Sequence, residues 1–160
     1  MMNPRLKQEI PGILDCVMQE ITGHMVGIQP IEREDILSED VCTVRTTFEG
    51  GYHATLVLFL DTALLRQLTQ QFMEEEEVAP EDVEDFAKEY LNVICGKVVA
   101  RLFQTARISS RFRIPVFSRG RAVPDTGYPV CEHVLNYISE DNKGVQLRHQ
   151  LPCPCAPAAN

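Results

Sequence analysis

Between Pro80 and Ala106 the residues Phe86, Tyr90, Leu91, Ile94, Val98 and Leu102 recur at helical spacing and cover most of a helix's circumference. A helix apolar over so much of its surface has to be enclosed by other elements, so this stretch sets the architecture. Pro80 suits the first turn, and Glu81, Asp82, Glu84 and Asp85 complement the positive end of the helix dipole. The predicted helix spans residues 80–106.

The rest of the chain supplies the enclosure. Leu6, Ile10, Ile13, Leu14, Val17, Met18 and Ile21 predict a first helix over residues 4–23, with Pro11 restricting its early turns and Gly23 as its stop. After an irregular link containing Gly27 and Pro30, CTVRTTFE and YHATLVLFL flank Gly50 and Gly51. That pattern predicts antiparallel strands over 42–49 and 52–60 joined by a tight hairpin. A second helix begins near Asp61, carries Leu64, Leu65, Leu68, Phe72 and Met73 on one face, and ends in a solvated run of four glutamates. Beyond the third helix, RFRIPVF, YPVCEHVLNYIS and VQLRHQL read as strands, the last two joined across Asp141 to Gly144. The expected fold is a single α/β (α+β) domain over residues 1–151, with long helices packed on a β-sheet and two halves that each pair a helix with an antiparallel hairpin. Residues 152–160, which include Cys153 and Cys155, are expected to form a mobile tail.

Composition removes several function classes. With 15 basic and 23 acidic residues the formal charge is -8, which opposes a nucleic-acid partner that needs an electropositive footprint. No stretch approaches the roughly 18–20 apolar residues of a membrane span, and MMNPRLKQEI lacks the apolar core of a signal peptide, so the expectation is a soluble, cytoplasmic chain without a membrane partner. Cys16, Cys42, Cys95 and Cys131 sit in ordinary apolar segments and are expected to be reduced packing residues. The lone CxC of Cys153 and Cys155, even with His149 nearby, lacks the second pair of a closed zinc site, so no metal is expected. Ser109, Ser110, His24, His53, His133 and His149 form no nucleophile-and-base signature, and no Gly-rich phosphate loop is present.

One strip of the third helix resists the apolar pattern. Asp85, Glu89, Asn92 and Gly96 project within about 60° of one another. A face turned to water would account for two acids and an amide. Gly96 is harder to dismiss, because glycine costs about 1 kcal/mol against alanine in a helix interior and leaves the backbone bare beside Asn92. Val99 and Phe103 continue the strip, either as core packing or as a contact for a partner. Arg107, Arg111, Arg113, Arg119 and Arg121 crowd the next segment, where they either meet an acidic partner or balance the chain's own acids.

The spacing of Asp85, three residues, Glu89, two residues, Asn92, then 22 residues and Pro115 resembles the signature of the CheC/CheX/FliY chemotaxis phosphatases. Chain length, a single copy of the motif and the order of elements look most like the CheX branch. Asp15, Gln19 and Thr22 keep the spacing in the first helix without its Glu and Asn, as a degenerate copy would. The resemblance implies a substrate, the aspartyl phosphate of a CheY-type response regulator, with the helix lying across the phosphorylation site. Glu89 and Asn92 are then the catalytic pair, supported by Asp85, Gly96 and Pro115. An amide can accept a hydrogen bond from water and donate one toward a phosphoryl oxygen, so Asn92 suits an in-line water, while anionic Glu89 suits docking to a receiver lysine. Val99, Phe103, Arg107, Arg111 and Arg113 become partner-docking candidates. The chain needs no cofactor of its own under this expectation, and the Mg2+ belongs to the partner receiver. Relatives of this kind pair as dimers through their sheets, which makes a homodimer the expected assembly, with RFRIPVF as one available edge. The alternative is a non-catalytic receiver-binding or dimerisation module.

Overall fold

The computed structural model describes residues 4–123 and 126–153. In chain order the elements are α1 (Pro4–Val26), β1 (Ile28–Pro30), β2 (Val41–Gly50), β3 (Ala54–Asp61), α2 (Thr62–Met73), α3 (Pro80–Ala106), β4 (Ser110–Phe112), β5 (Val116–Arg119), β6 (Val130–Ser139) and β7 (Gly144–Pro152). The strands form one sheet in the order β1-β6-β7-β3-β2-β4, with β5 also on β2 and all pairings antiparallel.

Two halves are visible in that order. The β2–β3 hairpin follows α1, the β6–β7 hairpin follows α3, and β3 and β7 lie side by side at the sheet's centre. Each half lends short strands to the other: β1 pairs with β6, while β4 and β5 pair with β2. Cys42, Val44 and Phe48 of β2, Leu56, Leu58 and Leu60 of β3, and Val145, Leu147 and Leu151 of β7 meet Leu14, Val17 and Met18 of α1 and Tyr90, Leu91, Ile94 and Val98 of α3 in one core. Period-two alternation on the strands and helical spacing on α1 and α3 turn these residues to a common side. β3 is buried along its whole length, on both faces, which explains its uninterrupted apolar run.

Several sequence boundaries move. α1 runs past Gly23 to Val26, because Met25 and Val26 pack against the core and Gly27, at φ 64°, supplies the stop instead. The turn after β2 occupies more than the two glycines, so β3 begins at Ala54 and not at Tyr52. Residues 28–30, within the predicted link, form the edge strand β1, a position that tolerates Pro30. RFRIPVF is two strands and not one. Pro115 has no N–H to give, and the chain breaks around it, with Arg113 N–H bonded to Thr47 O at 3.0 Å and Thr46 Oγ1 to Arg113 O at 2.5 Å.

The cysteines also divide. Cys42 and Cys95 are buried as expected, whereas Cys16 and Cys131 are exposed and are not packing residues: Cys16 falls on the wet side of α1, and Cys131 shares a face with Leu135 and Tyr137 but lies at the end of β6, where both faces are open. β7 reaches Pro152, and Cys153 N–H bonds Pro129 O at 3.0 Å, so the sheet continues to the point where the tail was expected to begin. Cys155 and the rest of the predicted mobile tail lie outside the described residues.

Two buried polar groups lock the sheet. Asp61, only 3% exposed, accepts the Ser38 N–H at 2.7 Å on one carboxylate oxygen and the Gly144 N–H at 2.6 Å on the other. Gly144 has no alternative there, because a Cβ would meet the Ile36 carbonyl oxygen at 2.7 Å. His149 is equally buried, stacked on Tyr52 with ring centroids 5.8 Å apart and hydrogen-bonded to its hydroxyl. Burial pushes the Tyr52 hydroxyl up, so it stays protonated and can donate to a neutral imidazole.

Burial first, and neighbouring His133 second, push the His149 pKa down to about 4. Below about pH 6.5 the unfolded chain therefore binds a proton that the folded chain refuses until about pH 4. Stability is complete above pH 6.5 and should fall by on the order of 3 kcal/mol across that window. Urea unfolding of wild type and His149→Phe at pH 7 and pH 4.5 checks this: the variant should lose most of the difference between the two pH values, and parallel losses would assign it to other groups.

Candidate functional site

α3 carries the candidate residues. It starts as its sequence implies, with Pro80 in the first turn and the Asp82 carboxylate accepting the Ala79 N–H at 2.9 Å. It stops at Ala106, where Arg107 turns left-handed at φ 55° and its N–H bonds Phe103 O at 2.9 Å. Val83, Phe86, Ala87, Tyr90, Leu91, Ile94, Cys95, Val98 and Leu102 are buried. The Tyr90 hydroxyl bonds Thr22 of α1, and the Tyr90 ring stacks on Phe86, whose ring is tilted against Phe72 of α2. The helix is thus clamped between α1 and α2, which fixes which way its remaining strip points.

That strip faces water. Asp85, Glu89, Asn92 and Gly96 are all exposed and in line along α3. Nearby charges are already matched: Lys88 lies 3.5 Å from Glu84, while Lys97 and Arg101 reach Glu20 of α1 at 3.8 and 3.1 Å. Among the described residues, Asp85, Glu89 and Asn92 make no side-chain hydrogen bond or ion pair. Their polar atoms are left for water or a partner. Gly96 is equally uncommitted, since an added Cβ would meet nothing within 4 Å. Among the described residues no contact calls for glycine there.

The sequence missed two neighbours of this strip. Val93, 41% exposed, and Ala100 lie beside Gly96, and with Phe103, 49% exposed, they make an apolar rim around the bare backbone. Spacing alone would have placed Val93 about 80° from Asp85, on the margin between wet and buried sides. Only the packing of α1 and α2 decides that margin.

The other candidates separate. Val99 is half-buried and packs against the core, while Phe103 is exposed beneath the Arg107 guanidinium, 5.4 Å from its ring centroid. Arg113 and Arg111 meet Glu49 of β2 at 2.6 and 3.6 Å, so the acids they balance include one on the neighbouring strand. Pro115 is buried in the β4–β5 break and belongs to a different element from the strip. Of the α1 counterparts, Thr22 is buried against Tyr90 and Asp15 accepts the Tyr137 hydroxyl at 2.6 Å, which turns that face into packing.

The strip lies on the outside of a helix and not in a cleft. Concavities lined by Asp40, Thr62, Arg66 and Arg119, or by Gly27, Gln29, Ser139 and Asn142, are elsewhere. Small-molecule sites are typically concave and enclosing, so a raised strip suits a substrate presented on another macromolecule. Among the described residues no three His, Cys, Asp or Glu side chains gather as a metal site, and no helix is long and apolar enough to cross a membrane.

A family model described as chemotaxis phosphatase CheX matches residues 42–127. None of the curated protein sequences matches significantly. Among solved structures, the CheX–CheY complex with BeF3 and Mg2+ from Borrelia burgdorferi aligns with 91% of this chain and 97% of its own at TM-score 0.69 and 13% identity. CheX from Desulfovibrio desulfuricans aligns with 93% of this chain and 99% of its own at 0.69 and 16%, and CheX from Vibrio vulnificus with 89% and 98% at 0.70 and 15%. At such identities the structural likeness establishes the fold.

Proposed function

Because the chain belongs to the CheX family of chemotaxis phosphatases, we propose that it hydrolyses the aspartyl phosphate of a CheY-type receiver presented to the exposed strip of α3. The observation that carries this is the uncommitted state of Glu89 and Asn92, among the described residues, beside a glycine that no contact within those residues requires. The Borrelia CheX, which shares the fold, is bound to CheY with BeF3 and Mg2+.

In the proposed step the Asn92 side-chain carbonyl accepts a hydrogen bond from a water and the amide N–H donates toward a phosphoryl oxygen. The water oxygen attacks phosphorus in line, the bond to the receiver's carboxylate oxygen breaks, and aspartate and inorganic phosphate are released. Glu89, an anion, would repel the phosphoryl group if aimed at it, so it pairs with a receiver lysine and fixes the docking register. Asp85, beside it, adds to the negative end of that contact. Any Mg2+ would belong to the receiver, where it would offset phosphoryl charge. The test is the decay of phosphorylated receiver with and without the protein, alongside binding to a receiver carrying a stable phosphoryl mimic. Faster decay supports hydrolysis; binding without acceleration would replace it with the alternative, a non-catalytic receiver-binding module.

Gly96 offers a sharper check. Gly96→Ala gains helix propensity and meets no obstacle, so it should raise stability by about 0.5–1 kcal/mol. If the bare backbone is where the receiver comes close, the same variant should lose dephosphorylation through a higher KM. A more stable variant with unchanged kinetics would show that nothing approaches this point.

A further inference from the structure

The β6–β7 hairpin brings together two cysteines that are 22 positions apart. Cys131 lies one step inside the start of β6, and Cys153 follows the last residue of β7. The Cys131 thiol donates to Cys153 Sγ at 2.9 Å. Backbone pairing holds this approach in place: Cys131 is in register with Leu151, Val130 with Pro152, and Cys153 N–H bonds Pro129 O. The sulfurs meet diagonally across a ladder that is hydrogen-bonded on both sides. A disulfide needs about 2.05 Å between sulfurs, so closure asks for a contraction of about 0.9 Å. Cys131 is exposed and Cys153 half-buried, so an oxidant in solution can reach the pair, whereas Cys42 and Cys95 are enclosed in the core.

We propose that Cys131 and Cys153 form a reversible disulfide that closes the open end of the β6–β7 hairpin. With a small disulfide oxidant such as oxidised glutathione, one cysteine thiolate attacks a glutathione sulfur, the glutathione S–S bond breaks, and one glutathione thiolate leaves. The second cysteine thiolate then attacks the protein sulfur of the mixed disulfide and displaces the other glutathione. Two protein thiols are oxidised, the glutathione disulfide is reduced, and the two thiol protons end on the two glutathiones. The bridge covalently fixes the last described residue of the chain to the sheet. It is independent of the phosphatase proposal, because both cysteines lie off α3.

The experiment incubates the full reduced chain with oxidised glutathione and maps its cysteines by peptide mass, for wild type, Cys131→Ser, Cys153→Ser and Cys155→Ser. Wild type and Cys155→Ser should carry a bridge between residues 131 and 153 that dithiothreitol reverses. Cys131→Ser and Cys153→Ser should stop at a glutathione adduct. Oxidised wild type should melt higher than reduced by about 5 °C or more, since the bridge restricts only the unfolded chain. A persistent adduct on wild type, a bridge to Cys155 or Cys16, or a melting temperature unchanged by oxidation would overturn the proposal.

Discussion

If the proposed hydrolysis holds, Asn92→Ala is expected to remove about a hundredfold of the acceleration of receiver dephosphorylation, equivalent to about 2.7 kcal/mol of transition-state stabilisation. An acyl phosphate is already labile, and positioning one water in line is the kind of contribution an amide can make without covalent chemistry. Binding to a receiver with a stable phosphoryl mimic should change little, because in the proposed step the amide would act mainly in the transition state. Glu89→Ala should differ in kind, weakening binding as well as turnover. Neither variant should unfold, since both side chains are exposed and alanine is the better helix former. Fully active Asn92→Ala in the presence of real acceleration would move the active site off α3 while leaving the phosphatase intact.

Asp61→Ala should destabilise the fold by about 3–5 kcal/mol. The carboxylate receives N–H groups from Ser38 and Gly144 while almost fully enclosed, so its removal strands the buried Gly144 donor and gives up the charge-assisted bond from Ser38, whose N–H is then left to water. The loss also frees the segment that packs over Gly144 from the turn between β6 and β7. With an m-value of about 2 kcal/mol per molar urea, the unfolding midpoint should fall by about 2 M. Asp61→Asn keeps one acceptor and should recover part of the loss. A midpoint within about 0.3 M of wild type would mean that the two N–H groups find other partners.

Much of α3 was legible because its determinants are local. Pro80 marks the start, the apolar spacing marks the buried sides, and the exception to that spacing marks the strip. Glu89 and Asn92 were therefore identifiable as residues on a wet face before any packing was known. What the sequence could not carry was information held by another element. Gly23 looked like a stop, yet Met25 and Val26 earn their helical turn from the core. The pairing of Arg111 and Arg113 with Glu49 depends on β4 lying against β2, which no local pattern announces. Cys131 and Cys153 meet only in the register of β6 on β7, since a slip of one residue would put them on opposite faces. Val93 failed for a related reason: its exposure is set by how closely two other helices crowd α3.

The exchange of short strands between the two halves governs the order in which the chain can reach this structure. Asp15 meets Tyr137 across 122 positions, Tyr52 meets His149 across 97, and Thr22 meets Tyr90 across 68. Loops of this length must close before their contacts return any free energy, so folding is slower than in a helical bundle of equal size. A nascent first half also reaches the solvent with β3 fully formed in sequence but lacking β7, its neighbour on one side. Until the last strand is synthesised, the most apolar edge in the molecule stays open, and the time spent in that state is the interval in which a second chain can add to it.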